Sequence, residues 1–319
     1  MITKQFRNLD EQVDILRHKG LTINDEKYAK QVLLRENYFF LNGYRHLFLK
    51  SSKDRTFVEG TTFEELYSLF LFDRSFRSIL FKYLLVIENN LKSIMSYELS
   101  KKYGYKESQY LRYKNFNSEP DKQKQLHDLL KKMKRQIAVN GSQHSATQHY
   151  ATNYGYIPLW ISVKVLSFGI VSEMFQILKK EDQKEIAKIY NIDEESMSLY
   201  LPMLANYRNL CAHEDILYEN KTQKKIPDTV YHQLLKIPKV EDEYEQGKND
   251  LFALIIILKQ MLTEEDFKNM TNELENVIQT LNYNLNSIKI DSVFKRMGFP
   301  LNWKDLANIE RSVDEEYDK

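Results

Sequence analysis

Apolar residues recur at steps of three and four through most of this chain. The clearest series is Leu80, Leu84, Ile87, Leu91 and Ile94, the spacing of one buried helical stripe. It lies in a stretch from Phe63 to Tyr103 that contains neither Gly nor Pro. Thr62-Phe-Glu-Glu65 opens it as a capping box, in which hydroxyl and carboxylate satisfy unpaired N–H groups. Glu88 and Lys92 stand further along at i,i+4 in the favourable order. One long helix is predicted here.

The same reading gives shorter elements on either side. Leu9, Val13, Leu16 and Leu21 form an apolar series, and TINDE, from Thr22, caps a second helix over Tyr28–Leu34. ENYFFLNGYRHLFL comes next, broken only at Gly43. Lys53–Thr62 is polar and reads as a connection, with a short strand at Thr56–Val58. Leu126–Ile137 is a basic amphipathic helix running into Ala138–Gly155, whose Ser, Thr, Asn, Gln and His content predicts a long loop. Trp160–Leu178 returns to helical spacing with Gly169 interrupting. Glu181–Tyr190 and Ser198–His213 are further helices, the second with Pro202 near its first turn, and Tyr218–Asp228 is a loop. Asp250–Met261 is almost continuously apolar, Thr263-Glu-Glu-Asp266 caps a helix over Phe267–Leu285, and MGFPLNWKDL reads as a turn with a docked aromatic.

Composition sharpens this picture. Nine Gly and six Pro in 319 residues compare with about 38 at average usage, which leaves little room for the turns of a β fold. The expectation is an all-α helical bundle with N- and C-terminal helical extensions. Its sections would be an appendage over 1–60, a core over 61–235 and an acidic section over 236–319. A single cysteine, Cys211, excludes an intramolecular disulfide framework and a Cys-based zinc site. Leu251–Leu258 is far short of the roughly 20 apolar residues of a membrane span. The opening MITKQFRNLDEQ lacks the apolar region of a signal peptide. A cytoplasmic protein without membrane attachment is expected.

The net charge of +1 conceals an asymmetry. Residues 241–319 hold nine basic and seventeen acidic residues, leaving +9 on 1–240, and residues 101–135 hold eleven basic against four acidic. Such a basic body suits a polyanionic partner, although a solvated helix face would carry the same pattern.

Most motifs of enzyme chemistry are absent: no P-loop, GxGxxG, HExxH, EF-hand loop or GxSxG occurs. His144 and His149 lie five apart, poor geometry for a shared metal. Glu64/Glu65, Glu194/Glu195 and Glu264/Glu265 open helices, where they complement the macrodipole. No cofactor is expected. The stretch LANYRNLCAHEDILY, 204–218, differs. Asn209 and His213 are i,i+4 and share a helix face, and Arg208, offset by one, is long enough to reach the same place. On spacing alone these residues fit a structural histidine better than a site.

The element R-N-x-x-x-H resembles the signature of HEPN ribonucleases. More widely, the chain resembles the abortive-infection AbiD/AbiF family of bacterial phage-defence proteins. The resemblance runs in order through LRHKGLTIND, ENYFFLNGYRHLF, TTFEELYSLFLFDRSFRSILFKYLLVIENNLK, HYATNYGYIPLWISVKVLSFG, YRNLCAH and MGFPLNW. Two positions depart from it: the His is succeeded by Glu214-Asp215-Ile216-Leu217-Tyr218 rather than a basic R-L-W-N-like tail, and Lys92 stands where relatives often carry Arg.

The resemblance implies a HEPN-type bundle and a metal-independent endoribonuclease, in which a ribose 2′-OH attacks its own phosphodiester to leave a 2′,3′-cyclic phosphate and a 5′-OH. His213 would be the general acid/base and Arg208 the stabiliser of transition-state charge, with Asn209 orienting the histidine or the phosphate. Acid and base are two tasks and the chain has one such motif, so the expectation is a homodimer with the two motif helices apposed. Some relatives are restrained by a structured noncoding RNA, which makes an antitoxin RNA a candidate partner. Lys131, Lys132, Lys134 and Arg135, with the Tyr-rich segment 103–116, would suit single-stranded RNA, unless those tyrosines serve core packing. The competing reading is a non-catalytic RNA-binding or protein-interaction module whose Arg208 and His213 are structural.

Overall fold

The computed structural model describes residues 5–51 and 53–310; the end of the acidic section, 311–319, and the first four residues lie outside them. Fifteen α-helices dominate the described residues. An N-terminal group comprises α1 (Leu9–His18), α2 (Glu26–Glu36) and α3 (Tyr38–Gly43), then a 3₁₀ turn over Tyr44–Phe48. The long α4 (Phe63–Tyr103) comes next, then α5 (Glu107–Tyr110), α6 (Gln123–Gly141), α7 (Ser145–Tyr154), α8 (Leu159–Val165), α9 (Phe168–Ile177), α10 (Lys180–Lys188) and α11 (Glu194–Ala212). The chain closes through α12 (Val230–Leu234), a two-residue antiparallel pair β1 (Lys239–Val240) and β2 (Glu243–Tyr244), then α13 (Leu251–Met261), α14 (Glu264–Asn284), α15 (Ile290–Met297) and a 3₁₀ turn over Trp303–Asn308.

Helix α4, with 41 residues, is about 60 Å long and is the element on which α8, α11 and α14 pack. Its capping box is formed as the sequence predicts: Glu65 N–H donates to Thr62 Oγ1 (3.1 Å), and Thr62 N–H donates to the Glu65 carboxylate (3.2 Å). The other Glu65 oxygen accepts from the Asn286 and Ser287 amides, both at 2.6 Å. One fully buried carboxylate therefore starts α4 and fixes the chain leaving α14. Helix α13 is buried on all sides among α4, α11 and α14, which is why it is apolar all round rather than striped. Its one charged residue, Lys259, reaches Glu264 (2.7 Å) and lies over the Phe267 ring.

Three details differ from the sequence expectation. Ala138–Gly155 is not a long loop: α6 continues to Gly141, and α7 occupies Ser145–Tyr154, ending at Gly155 with φ +72°. Only Thr147 of α7 is buried, so the helix carries no apolar stripe to read. Helix α11 starts at Glu194, which places Pro202 in its interior. The carbonyl of Ser198, which the missing Pro202 N–H leaves open, accepts from the Gln176 side-chain amide at 3.4 Å. Residues 56–58 form no strand of their own; Phe57 makes an isolated bridge with Leu49.

The MGFPLNW turn docks as predicted, with Phe299 and Trp303 buried. The structure adds the reason for its glycine. Gly298 has φ +74°, and a Cβ there would lie 2.1 Å from the carboxyl group of Asp250. That carboxylate caps α13 at Ala253 N–H (3.1 Å) and accepts from Gly247 N–H (3.1 Å). Gly298→Ala combines a left-handed backbone with overpacking, and should cost about 2–4 kcal/mol in urea-unfolding free energy. A change below about 0.5 kcal/mol would show that the turn relaxes away from Asp250.

Candidate functional site

The three residues singled out from the sequence lie at the C-terminal end of α11. Asn209 lies in its last turn with Arg208 just before it, and His213 is its C-cap, its backbone N–H bonded to the Asn209 carbonyl (3.0 Å). Asn209 and His213 are exposed, whereas Arg208 is partly buried. The Arg208 Nε–H donates to Glu88 (3.1 Å), and Nη1 lies 3.4 Å from Asn209 Oδ1, so Arg208 and Asn209 do converge. The guanidinium also sits 5.8 Å from the Phe81 ring centroid.

Glu88 is the crossing point. One oxygen takes Arg208 and the other accepts from Lys92 Nζ at 2.7 Å. The sequence shows the Glu88/Lys92 pair as an intrahelical contact only. In the fold that pair faces α11 and holds the guanidinium through Nε. Cys211, between Asn209 and His213, is buried, and burial pushes its thiol up to about 12. Burial thus disfavours the thiolate that a nucleophilic cysteine needs.

Directly after His213 the chain reverses. Glu214 adopts a left-handed conformation (φ +58°), and Asp215 N–H closes on the Leu210 carbonyl at 3.3 Å, a Schellman-type end. The path of residues 215–218 is then fixed by two side chains of α4 that sequence reasoning missed. Asp73, fully buried, accepts from the amides of Leu217 (3.0 Å) and Tyr218 (2.8 Å), from the Tyr44 hydroxyl (2.7 Å) and from Arg77 Nη1. Arg77 Nη1 also donates to the Asp215 carbonyl at 3.1 Å. Burial pushes the Asp73 carboxyl up, against Arg77 and the two amides, which favour its charged form. The signal was in the sequence: Asp73 and Arg77 occupy core-facing positions of the same stripe as Phe76 and Leu80.

The basic residues lie elsewhere. Lys131, Lys132, Lys134 and Arg135 are all exposed on α6, which packs mainly against α8 and α9, whereas α11 packs against α4, α9, α10 and α13. They stand on a different helix from Arg208 and His213, with α9 as the neighbour that α6 and α11 share. Lys132 is ion-paired with Glu173 at 2.8 Å, and Lys134 lines a cleft of about 790 Å³ between α5, α6 and α7. The 103–116 tyrosines divide. Tyr110 is buried with its hydroxyl on Ser162, and Tyr103 bonds to Asp182, while Tyr105 and Tyr113 are exposed. His144 and His149 have separate neighbours, Thr147 and Asn153. Among the described residues no group of three or more His, Cys, Asp or Glu side chains is placed to hold a metal ion, and no helix is long and apolar enough to cross a membrane.

These features define an all-α protein with an Arg–Asn–His cluster at an exposed helix end, anchored from beneath by a buried ion pair. The sequence profile of the family described as Abi-like protein matches residues 31–219, more than half of the chain. The chain belongs to that family, and the matched span carries both the cluster and the Asp73–Arg77 anchor. Membership points to abortive infection, a bacterial defence against phage. None of the curated proteins and none of the solved structures matches the chain.

Removing one member of the anchor leaves the other charge buried and unpaired, so Asp73→Leu and Arg77→Met should each cost about 3–5 kcal/mol. The double variant should cost clearly less than the sum. Urea denaturation of the four proteins gives the coupling energy; strict additivity would show that the pair does not act as a unit.

Proposed function

We propose that this protein is a metal-independent endoribonuclease of abortive infection, acting through Arg208, Asn209 and His213. The observation that carries the reading is the convergence of Arg208 and Asn209 at a rigidly terminated helix end whose exposed cap is His213. In the proposed reaction the 2′-hydroxyl gives its proton to a base and its oxygen bonds to the adjacent phosphorus. The bond from phosphorus to the 5′-oxygen breaks, and that oxygen takes a proton from an acid. The products are a 2′,3′-cyclic phosphate and a free 5′-hydroxyl. An imidazole changes charge between pH 5 and 8 and suits either proton transfer. A guanidinium stays charged and suits the phosphorane oxygens.

One chain offers one imidazole at this site. The reading therefore includes a homodimer in which two α11 ends face each other across a twofold axis, so that one His213 serves as base and the other as acid. Lys131, Lys132, Lys134 and Arg135 supply sequence-independent attraction to the RNA backbone. A structured noncoding RNA acting as antitoxin would use the same basic surface. A cytoplasmic location follows from the substrate.

RNA cleavage in excess EDTA, on protein stripped of co-purifying nucleic acid, tests the reading. Wild type should leave cyclic-phosphate ends. His213→Ala should lose at least about 100-fold in rate with its melting temperature nearly unchanged, because the side chain is exposed. Arg208→Ala should lose turnover more than RNA affinity. An active His213→Ala protein would remove the histidine from the chemistry, and inactive wild type that still binds RNA would favour the non-catalytic binding module.

Charge reversal of Lys131, Lys132, Lys134 and Arg135 to Glu should weaken RNA binding and flatten its salt dependence by about three to four phosphate contacts. An unchanged slope of affinity against salt would place the RNA away from α6.

A further inference from the structure

Six aromatic side chains form a continuous row on the surface that α7 begins. Tyr150 and Tyr154 of α7 lie 5.3 Å apart between ring centroids, and Tyr156 in the next turn is 6.2 Å from Tyr154. Tyr105, just past α4, is 5.6 Å from Tyr156 and 5.8 Å from Trp160 at the start of α8. His149 closes the other end against Tyr150 and Tyr154 at 5.6 and 5.9 Å. Three members of the row are open to solvent, Tyr154 at 56%, Trp160 at 43% and Tyr105 at 40% exposure, with Tyr150 and Tyr156 half-buried among them. Single exposed aromatics need no explanation, but a contiguous set of this size marks an interaction surface.

Charge selects the occupant. Lys106 Nζ sits 4.8 Å over the Tyr156 ring. The neighbouring cleft of about 790 Å³ has Ala151, Thr152 and Ile157 on the aromatic side, and Arg112 and Lys134 among its other walls, with one carboxylate, Glu107, that accepts from the Ile157 amide (2.8 Å). Aromatic row, cleft and basic helix α6 thus adjoin. Aromatic faces accept any unpaired base, while cations beside them track the phosphates. A duplex keeps its base faces stacked inside and cannot use such a row. A second copy of the chain docked here about a twofold axis would set this basic surface against itself.

We propose that this surface binds single-stranded RNA, with unpaired bases stacked on Tyr105, Tyr154 and Trp160 and phosphates held by Lys106, Arg112 and Lys134. The proposal rests on the reading that the protein acts on RNA, and it concerns binding rather than cleavage.

The test uses the full chain in EDTA and a labelled 2′-O-methyl oligoribonucleotide of about 20 residues, which lacks the attacking hydroxyl. A duplex of the same length is the control. Tyr154→Ala with Trp160→Ala should weaken single-strand binding by at least about tenfold, leave duplex binding unchanged and leave the salt slope unchanged. Tyr154→Phe with Trp160→Phe, which keeps both rings, should stay within about threefold of wild type. The oligonucleotide should also quench tryptophan fluorescence in wild type and not in Trp160→Phe, since the remaining Trp303 is buried; should the double alanine variant unfold, quenching decides alone. Wild type that does not bind the oligonucleotide, unaltered affinity in a folded double alanine variant, equal loss of duplex binding or absent quenching would each overturn the proposal. Loss of single-strand binding in a protein that never cleaves RNA would uphold the platform and sink the ribonuclease reading. Cleavage with the platform variants binding normally would do the reverse.

Discussion

The geometry at the end of α11 depends on one buried ion pair in another helix. Asp73 and Arg77 sit on α4, yet five of their contacts go to Tyr44 and to backbone groups of residues 215, 217 and 218. A buried ion pair adds little net stability compared with apolar residues of equal volume. Leucine and methionine could fill this space. They could not receive two backbone N–H groups or donate to a carbonyl, and three backbone polar groups would lose their partners in the interior. The pair therefore determines where the chain goes after His213 more than how stable the fold is. Because α4 is the central helix, the terminus of α11 inherits the rigidity of the core.

Glu88 performs a comparable task one end of the cluster away. Its carboxylate is shared between Lys92 and Arg208, so the guanidinium is held by its inner nitrogen and restrained before any ligand arrives. Pre-ordering a long side chain removes part of the entropy cost of holding it in one geometry. The arrangement also lowers the local positive charge, since one carboxylate faces two cations. The proline inside α11 belongs to the same design: its missing N–H is offset by Gln176 reaching Ser198 from α9, which lets α11 stay continuous from its cap at Asp193 to His213.

Much of this was legible in the sequence because it arises from local rules. The stripe of α4, its capping box, the all-apolar α13 and the docked MGFPLNW turn each carry their own signal. The readings that failed lacked such a signal. Helix α7 buries only Thr147, so polarity alone suggested a loop, and what holds it is packing against α6 and α8. Pro202 suggested a first turn because the residue that replaces its hydrogen bond is 26 positions away, at Gln176. Asp73 and Arg77 interrupt an apolar stripe visibly, but their partners lie about 140 residues further on. An interruption can be seen in a sequence, whereas its purpose requires the fold.

The charges around the cluster bear on how the proposed activity would be divided across the molecule. Arg208, Lys92 and Glu88 together carry one net positive charge, and the exposed Glu214 and Asp215 come directly after His213. A phosphate approaching one copy of this site meets little net attraction. The basic residues lie instead on α6 and beside the aromatic row, on a different helix from the cluster, although α6 and α11 share α9 as a neighbour. Under the ribonuclease reading, affinity and chemistry are then separate functions of separate surfaces. Long-range attraction would come from the basic face and fall with salt. The reacting phosphate would be stabilised at short range by a guanidinium already held in place, and a second copy of the motif would double that positive charge where the transition state forms. A weakly charged site next to acidic residues is thus consistent with a nuclease that discriminates by geometry at the reacting bond rather than by attraction to RNA in general.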